Sequence, residues 1–262
     1  MSTLTLAMRD SSTMVARQLK RLLRYPSMTV QLVVTPVIIL LLFVYVFGGT
    51  LGAGLGGGRH TYINYVVPGI LLMAAATAAT GTAVMVATDM TEGIIARFRT
   101  MRISRASVLT GHVVGAVIQQ LLGMAVVIGV ALAIGFHPNA TPAEWLAAAG
   151  LLTLFVVAIT WLSVALGLKA QTPEAASNAP MPLIFLPFLG SGFVPTDSMP
   201  TALRWFAEYQ PFTPIMQTIR GLLLGTHIGN NGAIAIAWCA GIAALSYLWA
   251  KNTYNNSSYN KA

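Results

Sequence analysis

Residues 28–47 read MTVQLVVTPVIILLLFVYVF, a run without a single Asp, Glu, Lys or Arg. An α-helix rises 1.5 Å per residue, so about 20 apolar residues cross the roughly 30 Å of hydrocarbon in a bilayer. This stretch has that length, and several later windows repeat it. Across the 262 residues, 56% are hydrophobic and 8% are charged, against about 25% charged in a soluble domain. The chain therefore reads as an all-α integral membrane protein, with residues 1–262 forming a single transmembrane domain.

Upstream, residues 8–24 carry Met8, Val15, Leu19 and Leu22 on one helical face. Arg17, Lys20, Arg21 and Arg24 fall at i, i+3, i+4 and i+7 on another. That pattern suits an amphipathic helix within 1–26 lying in the interface plane, its basic side toward anionic headgroups. Tyr25-Pro26 breaks it before the membrane is entered. The first apolar run exceeds the h-region of a signal peptide and is expected to be retained.

Downstream, GGTLGAGLGGGRH (48–60) reads as a flexible loop. Its GAGLGG matches G-x-G-x-x-G at Gly52, Gly54 and Gly57, but a dinucleotide site needs a preceding strand and a later acidic residue. Here a membrane span precedes and Arg59-His60 follows. Span two is expected over about 64–88, with AAATAATGT (74–82) at its centre offering a small-residue face for close helix approach. Span three covers about 108–135 and holds Gln119 and Gln120; span four covers about 145–168. Span five, about 179–194, contains Pro180, Pro182 and Pro187 and should be irregular. Residues 195–225 are too polar to span and have apolar residues at helical spacing, which predicts two short re-entrant helices dipping into the outer leaflet. A sixth span over about 231–250 precedes an Asn/Ser/Tyr-rich flexible tail, 251–262.

With six transmembrane helices, twelve of the fifteen Lys and Arg residues fall on the side of the N-terminal segment, the tail and the loop near 91–105. The other side receives Arg59, Arg204 and Arg220. The positive-inside rule puts both termini in the cytoplasm of a multi-pass plasma-membrane (inner-membrane) protein. The net charge of +8 thus reports orientation and lipid contact, and nucleic acid is not expected as a partner.

Catalytic chemistry lacks parts. His60, His112, His137 and His227 are scattered, Cys239 stands alone, and no G-x-x-x-x-G-K-[ST] is present, so neither a metal site nor an ATP site is expected in this chain. Asp89 and Glu92 sit at the cytoplasmic mouth, and the middles of the spans carry no charged residue. An ion-coupled carrier usually keeps such a group at the midplane.

The segment TEGIIARFRTMRISRAS (91–107) places Ile94, Phe98 and Met101 at i, i+4 and i+7, an apolar ridge among Arg97, Arg99, Arg102 and Arg105. Such a cytoplasmic helix can dock into a partner's groove; equally, its arginines can serve only topology and lipid phosphates.

Two stretches then carry a resemblance: ATDMTEGIIARFRTMRISRASVLTGHVV (87–114) and LPFLGSGFVPTDSMPTALRWFAEYQPFTPIMQTIRGLLLG (186–225). Together with the order of helices they resemble the type-2 ABC transporter permeases, in the drug-resistance branch that includes the daunorubicin-resistance permeases. The resemblance implies a permease subunit of an ATP-driven exporter of hydrophobic or amphiphilic substrates, working with two separate ATPase subunits that hold ATP and magnesium. A second permease copy, identical or not, completes the dimer. It assigns Glu92, Gly93, Ile94, Arg97, Phe98, Arg99 and Met101 to the coupling helix against the ATPase, and suggests Met73, Thr77, Phe185 and Phe188 for the substrate path. Arg102 departs from the pattern, since relatives often have proline there. Rival readings are a polysaccharide or teichoic-acid exporter of the same family, an ATP-independent channel or ion-coupled carrier, and, more remotely, a membrane-embedded enzyme.

Overall fold

A computed structural model describes residues 26–91 and 105–256, with side chains described at 30, 32–91 and 113–254. Among the described residues every regular element is helical. The order is α1 (Pro26–Leu42), a π turn (Phe43–Phe47), α2 (Gly48–Gly54), α3 (Arg59–Thr91), α4 (Arg105–Ala133), α5 (Pro142–Lys169), α6 (Pro173–Asn178) and α7 (Met181–Phe185). A 3-10 turn (Thr196–Ser198), α8 (Thr201–Tyr209), α9 (Phe212–Leu224) and α10 (Asn231–Asn256) follow.

Five helices among the described residues are long and apolar enough to span: Leu32–Gly54, Arg59–Thr91, Val113–Ala133, Pro142–Lys169 and Asn231–Tyr254. The third expected ending, at residue 135, and the tail beginning at 251 both shift. Helix α4 stops at Ala133, and α10 runs on to Asn256. The glycine-rich tract is not a flexible loop. Helix continues through Gly54, and the chain reverses in a tight turn at Gly56, where φ is +74°. Gly52 abuts the Gly58 carbonyl so closely that any side chain there would collide with it.

Helices α3 and α5 form the centre, while α1 and α10 are mostly exposed around it. In lipid, exposed apolar residues such as Val34, Ile38 and Leu42 of α1 meet acyl chains at no solvation cost. Helix α5 starts at a capping box: the Glu144 amide donates to Thr141 Oγ1, and the Glu144 carboxylate accepts from the Thr141 amide at 2.7 Å and its hydroxyl at 2.8 Å. Pro142 occupies the first turn, where its missing N–H costs nothing. Helices α5 and α10 lie with their C-terminal ends together, since Trp161 meets Tyr247 edge-on at 4.9 Å and Lys169 Nζ lies 5.8 Å from the Trp249 ring centre.

The expected fifth span is not one helix. Residues 173–194 break into α6, α7 and turns, as three prolines in one short segment dictate: each removes a backbone donor and crowds the preceding turn. The broken segment still follows α3. Ala176 is buried with Ala83 and Ala87 near one end of α3, and the Phe193 carbonyl accepts from Tyr62 Oη near the other. Those two contacts lie 25 residues apart on α3, about 37 Å along a helix.

Candidate functional site

The segment LPFLGSGF (186–193) and the start of α9, QPFTP (210–214), fold against each other and against α3. Gln210 organises the junction. Its Nε2 donates to the Leu186 carbonyl at 3.3 Å and to Thr213 Oγ1 at 3.1 Å, and its Oε1 accepts from the Phe212 amide at 3.0 Å. Thr213 Oγ1 also accepts from the Ser191 amide at 3.2 Å. The main-chain groups among these are ones that prolines and turns leave without helical partners, so buried side chains must supply them.

Two turns further along α9, Arg220 reaches both neighbours. Its Nη2 donates to the Ser191 carbonyl at 2.7 Å and to the Tyr65 carbonyl at 3.0 Å, with Nε at 3.3 Å from the latter. The guanidinium carbon stands 3.8 Å from the Tyr65 ring centre. Among the described residues, the ion pairs of the region belong to Arg204, with Asp197 and Glu208, and not to Arg220. Pro68 lies inside α3, where it removes the donor for the carbonyl four residues earlier and loosens that turn. Arg220 thus contacts α3 at Tyr65, next to Asn64, whose carbonyl Pro68 leaves without its helical donor. The same crossing needs two glycines: a Cβ on Gly69 would stand 2.5 Å from the Gly192 carbonyl oxygen.

Beside this node lies an aromatic group. Phe188 stacks on Phe193 at 4.3 Å with ring planes 4° apart, and Phe43, in the π turn, lies 4.6 Å from Phe193. Phe185 and Phe188 are exposed, whereas Met73 is buried and Thr77 is half-buried, its hydroxyl spent on the Met73 carbonyl at 2.9 Å. The four residues suggested for a substrate path thus occupy two environments, the bundle interior and an aromatic surface. Arg204, on α8 outside the long helices, holds its proton more tightly than usual because Glu208 hydrogen-bonds it and Asp197 adds negative charge.

The coupling residues Glu92, Gly93, Ile94, Arg97, Phe98, Arg99 and Met101 lie outside the described residues, as do Arg17, Lys20, Arg21 and Arg24 of the interfacial helix. Spacing does not single out Gln210, Thr213, Tyr65 or Arg220. The signal available is one arginine in an otherwise uncharged helix and a glutamine at its head, each of which needs a partner once buried in lipid.

Residues 10–224 match the sequence profile of the ABC-2 type transporter family. The chain is 25% identical over 235 residues to a daunorubicin resistance ABC transporter permease protein of Streptomyces coeruleorubidus, covering 89% of this chain and 82% of that one. It is 27% identical over 183 residues to a probable doxorubicin resistance ABC transporter permease protein of Mycobacterium tuberculosis, covering 69% and 65%. The family match includes the whole segment that carries Gln210, Thr213 and Arg220.

Proposed function

The chain belongs to the ABC-2 type transporter family, and from that membership we propose that it is the permease subunit of an ATP-driven exporter of hydrophobic or amphiphilic compounds. The observation that carries the substrate class is the bundle's chemistry. Its large buried side chains are overwhelmingly apolar or aromatic, and the guanidinium of Arg220 is engaged by main-chain carbonyls. A path through such a body suits a drug or lipid better than an ion. Similarity to daunorubicin and doxorubicin resistance permeases supports the same class.

In this reading the chain is not itself an enzyme. Two ATPase subunits hold ATP and magnesium, and a second permease copy completes the complex in the plasma membrane. The segment containing Glu92, Arg97, Phe98 and Arg99 receives the ATPase motion and passes it to α3 and α4 as rigid bodies. Helix α3 supports this role, because its 33 residues make about 50 Å, longer than the hydrocarbon is thick.

The chain crosses six times, five times as long helices and once in pieces through residues 173–194. Two observations support that count: the broken segment follows α3 from Ala87 to Tyr62, and α5 and α10 keep their C-terminal ends together. Both termini then share the cytoplasmic face.

Reconstitution tests the function. Liposomes carrying the permease with its ATPase subunit should accumulate a fluorescent amphiphile, an anthracycline or a lipid analogue, only when ATP is supplied. Movement without ATPase and ATP would instead make the protein a channel or carrier. ATP-driven movement of a polysaccharide but of no amphiphile would favour the glycan-exporting branch.

A further inference from the structure

The side opposite the chain termini, in the topology proposed above, carries Arg59, Arg204 and Arg220. Arg220 is held by main-chain carbonyls, and Arg204 pairs with Asp197 and Glu208. Arg59, at the start of α3, is exposed and has no carboxylate partner among the described residues. Its stem passes Gly48, where an added Cβ would stand 3.3 Å from Arg59 Cγ. Its guanidinium carbon lies 5.0 Å from the ring centre of Tyr45.

That ring ends an exposed stripe. Phe43 turns to Phe193, and two residues advance a helix by about half a turn, so Tyr45 leaves the bundle side that Phe43 occupies. Val34, Ile38, Leu42 and Tyr45 follow one another at helical spacing, and all are exposed. Val34 and Tyr45 are eleven residues apart, about 16 Å along the axis. The hydrocarbon of one leaflet is about 15 Å deep, half of the bilayer's roughly 30 Å. An apolar stripe one leaflet long, ended by an aromatic ring and an unpaired guanidinium, matches the order of a phospholipid from acyl chain through interface to phosphate. Arginine suits that end, because its fork donates two parallel hydrogen bonds to a phosphate while its plane rests on an aromatic face.

We infer that this stripe seats an anionic phospholipid of the leaflet at this end of the bundle. Its phosphate sits on Arg59, and one acyl chain lies along Leu42, Ile38 and Val34. A zwitterionic headgroup offers the same phosphate but brings its own cation, so net negative charge is what Arg59 selects. The site needs only the lipid and this chain, and it does not depend on the exporter reading.

The experiment uses the full chain in nanodiscs of phosphatidylcholine and phosphatidylglycerol. A trace of one lipid or the other carries a diazirine midway along an acyl chain, and labelled peptides are measured by mass spectrometry after irradiation. Residues 34–45 should be labelled about fivefold more by the phosphatidylglycerol probe, the preference that one cation near the headgroups gives. Ile234, Ile236 and Trp238 are exposed in a stretch of α10 without Lys or Arg, and the two probes should label them about equally. Arg59→Gln should bring the α1 ratio to about one. If that variant folds poorly, the parent protein decides: raising the salt from about 0.1 M to about 1 M shortens the screening length from about 10 Å to about 3 Å and should bring the ratio below about two. Equal labelling of α1 by both lipids, a preference that survives Arg59→Gln or high salt, or a stripe that no lipid labels because a second copy covers it would each overturn the site.

Discussion

Arg220 lies over the ring of Tyr65 at 3.8 Å and, with the same guanidinium, donates to the Tyr65 main-chain carbonyl at 3.0 Å. The planar fork explains why the residue is arginine: one group covers an aromatic face and reaches two carbonyls on different segments. Arg220→Met should leave both carbonyls without this donor and destabilise the protein by about 2–4 kcal/mol. Arg220→Lys should recover only part of that. Thermal melting in one detergent checks it, and an unchanged midpoint for the methionine variant would show that the contact braces nothing.

Close approach at Gly69 gives a second outcome. Gly69→Ala should push the Gly192 turn away and cost about 1–3 kcal/mol, the usual penalty for overpacking. Gly81, on the same helix, is the control, because a methyl group added there would meet nothing within 4 Å. Gly81→Ala should be neutral or stabilising by about 0.5–1 kcal/mol, since glycine inside a helix is entropically unfavourable. Equal effects at the two positions would show that helix propensity, and not the crossing, governs both.

The start of α5 depends on its cap. Thr141→Ala removes the acceptor of the Glu144 amide and the hydroxyl that the Glu144 carboxylate holds. Amide hydrogen exchange in the first turn of α5 should then accelerate by about 2- to 30-fold, the usual range for losing such a cap. Thr141→Ser keeps the oxygen and should stay close to the parent. Unaltered exchange in the alanine variant would mean that packing alone fixes where α5 begins.

For coupling, Phe98→Ala combined with charge reversal at Arg97 and Arg99 should lower substrate-stimulated ATPase activity in the assembled complex, with membrane insertion intact. Unaltered stimulation in a correctly inserted variant would return those arginines to topology alone.

A reporter fused after the last residue should be active in the cytoplasm, and one inserted at Gly57 should face outward. A reporter after the last residue that faced the same side as the one at Gly57 would mean that residues 173–194 do not complete a crossing.

Long charge-free runs made the spanning helices legible, because length and hydropathy alone decide whether a segment enters lipid. The glycines of 48–57 misled, since glycine breaks helices in water yet is common in membrane helices, where the absence of competing water favours internal hydrogen bonds. The irregularity of 179–194 was readable from its prolines, but its course along α3 was not. Nor was the role of Arg220, whose acceptors are the main-chain carbonyls of Tyr65 and Ser191. Carbonyls belong to every residue and leave no mark in a sequence.

Tyr65 and Arg220 are 155 residues apart. At a synthesis rate of about 5–20 residues per second, roughly 8–30 s separate their emergence from the ribosome. During that interval the nascent first hairpin must sit in the membrane without the contact from Arg220 to Tyr65. The last third of the chain thus completes a helix inserted long before it, which makes ribosome-stalled or truncated products a distinct, partly finished species for the cell's quality-control proteases.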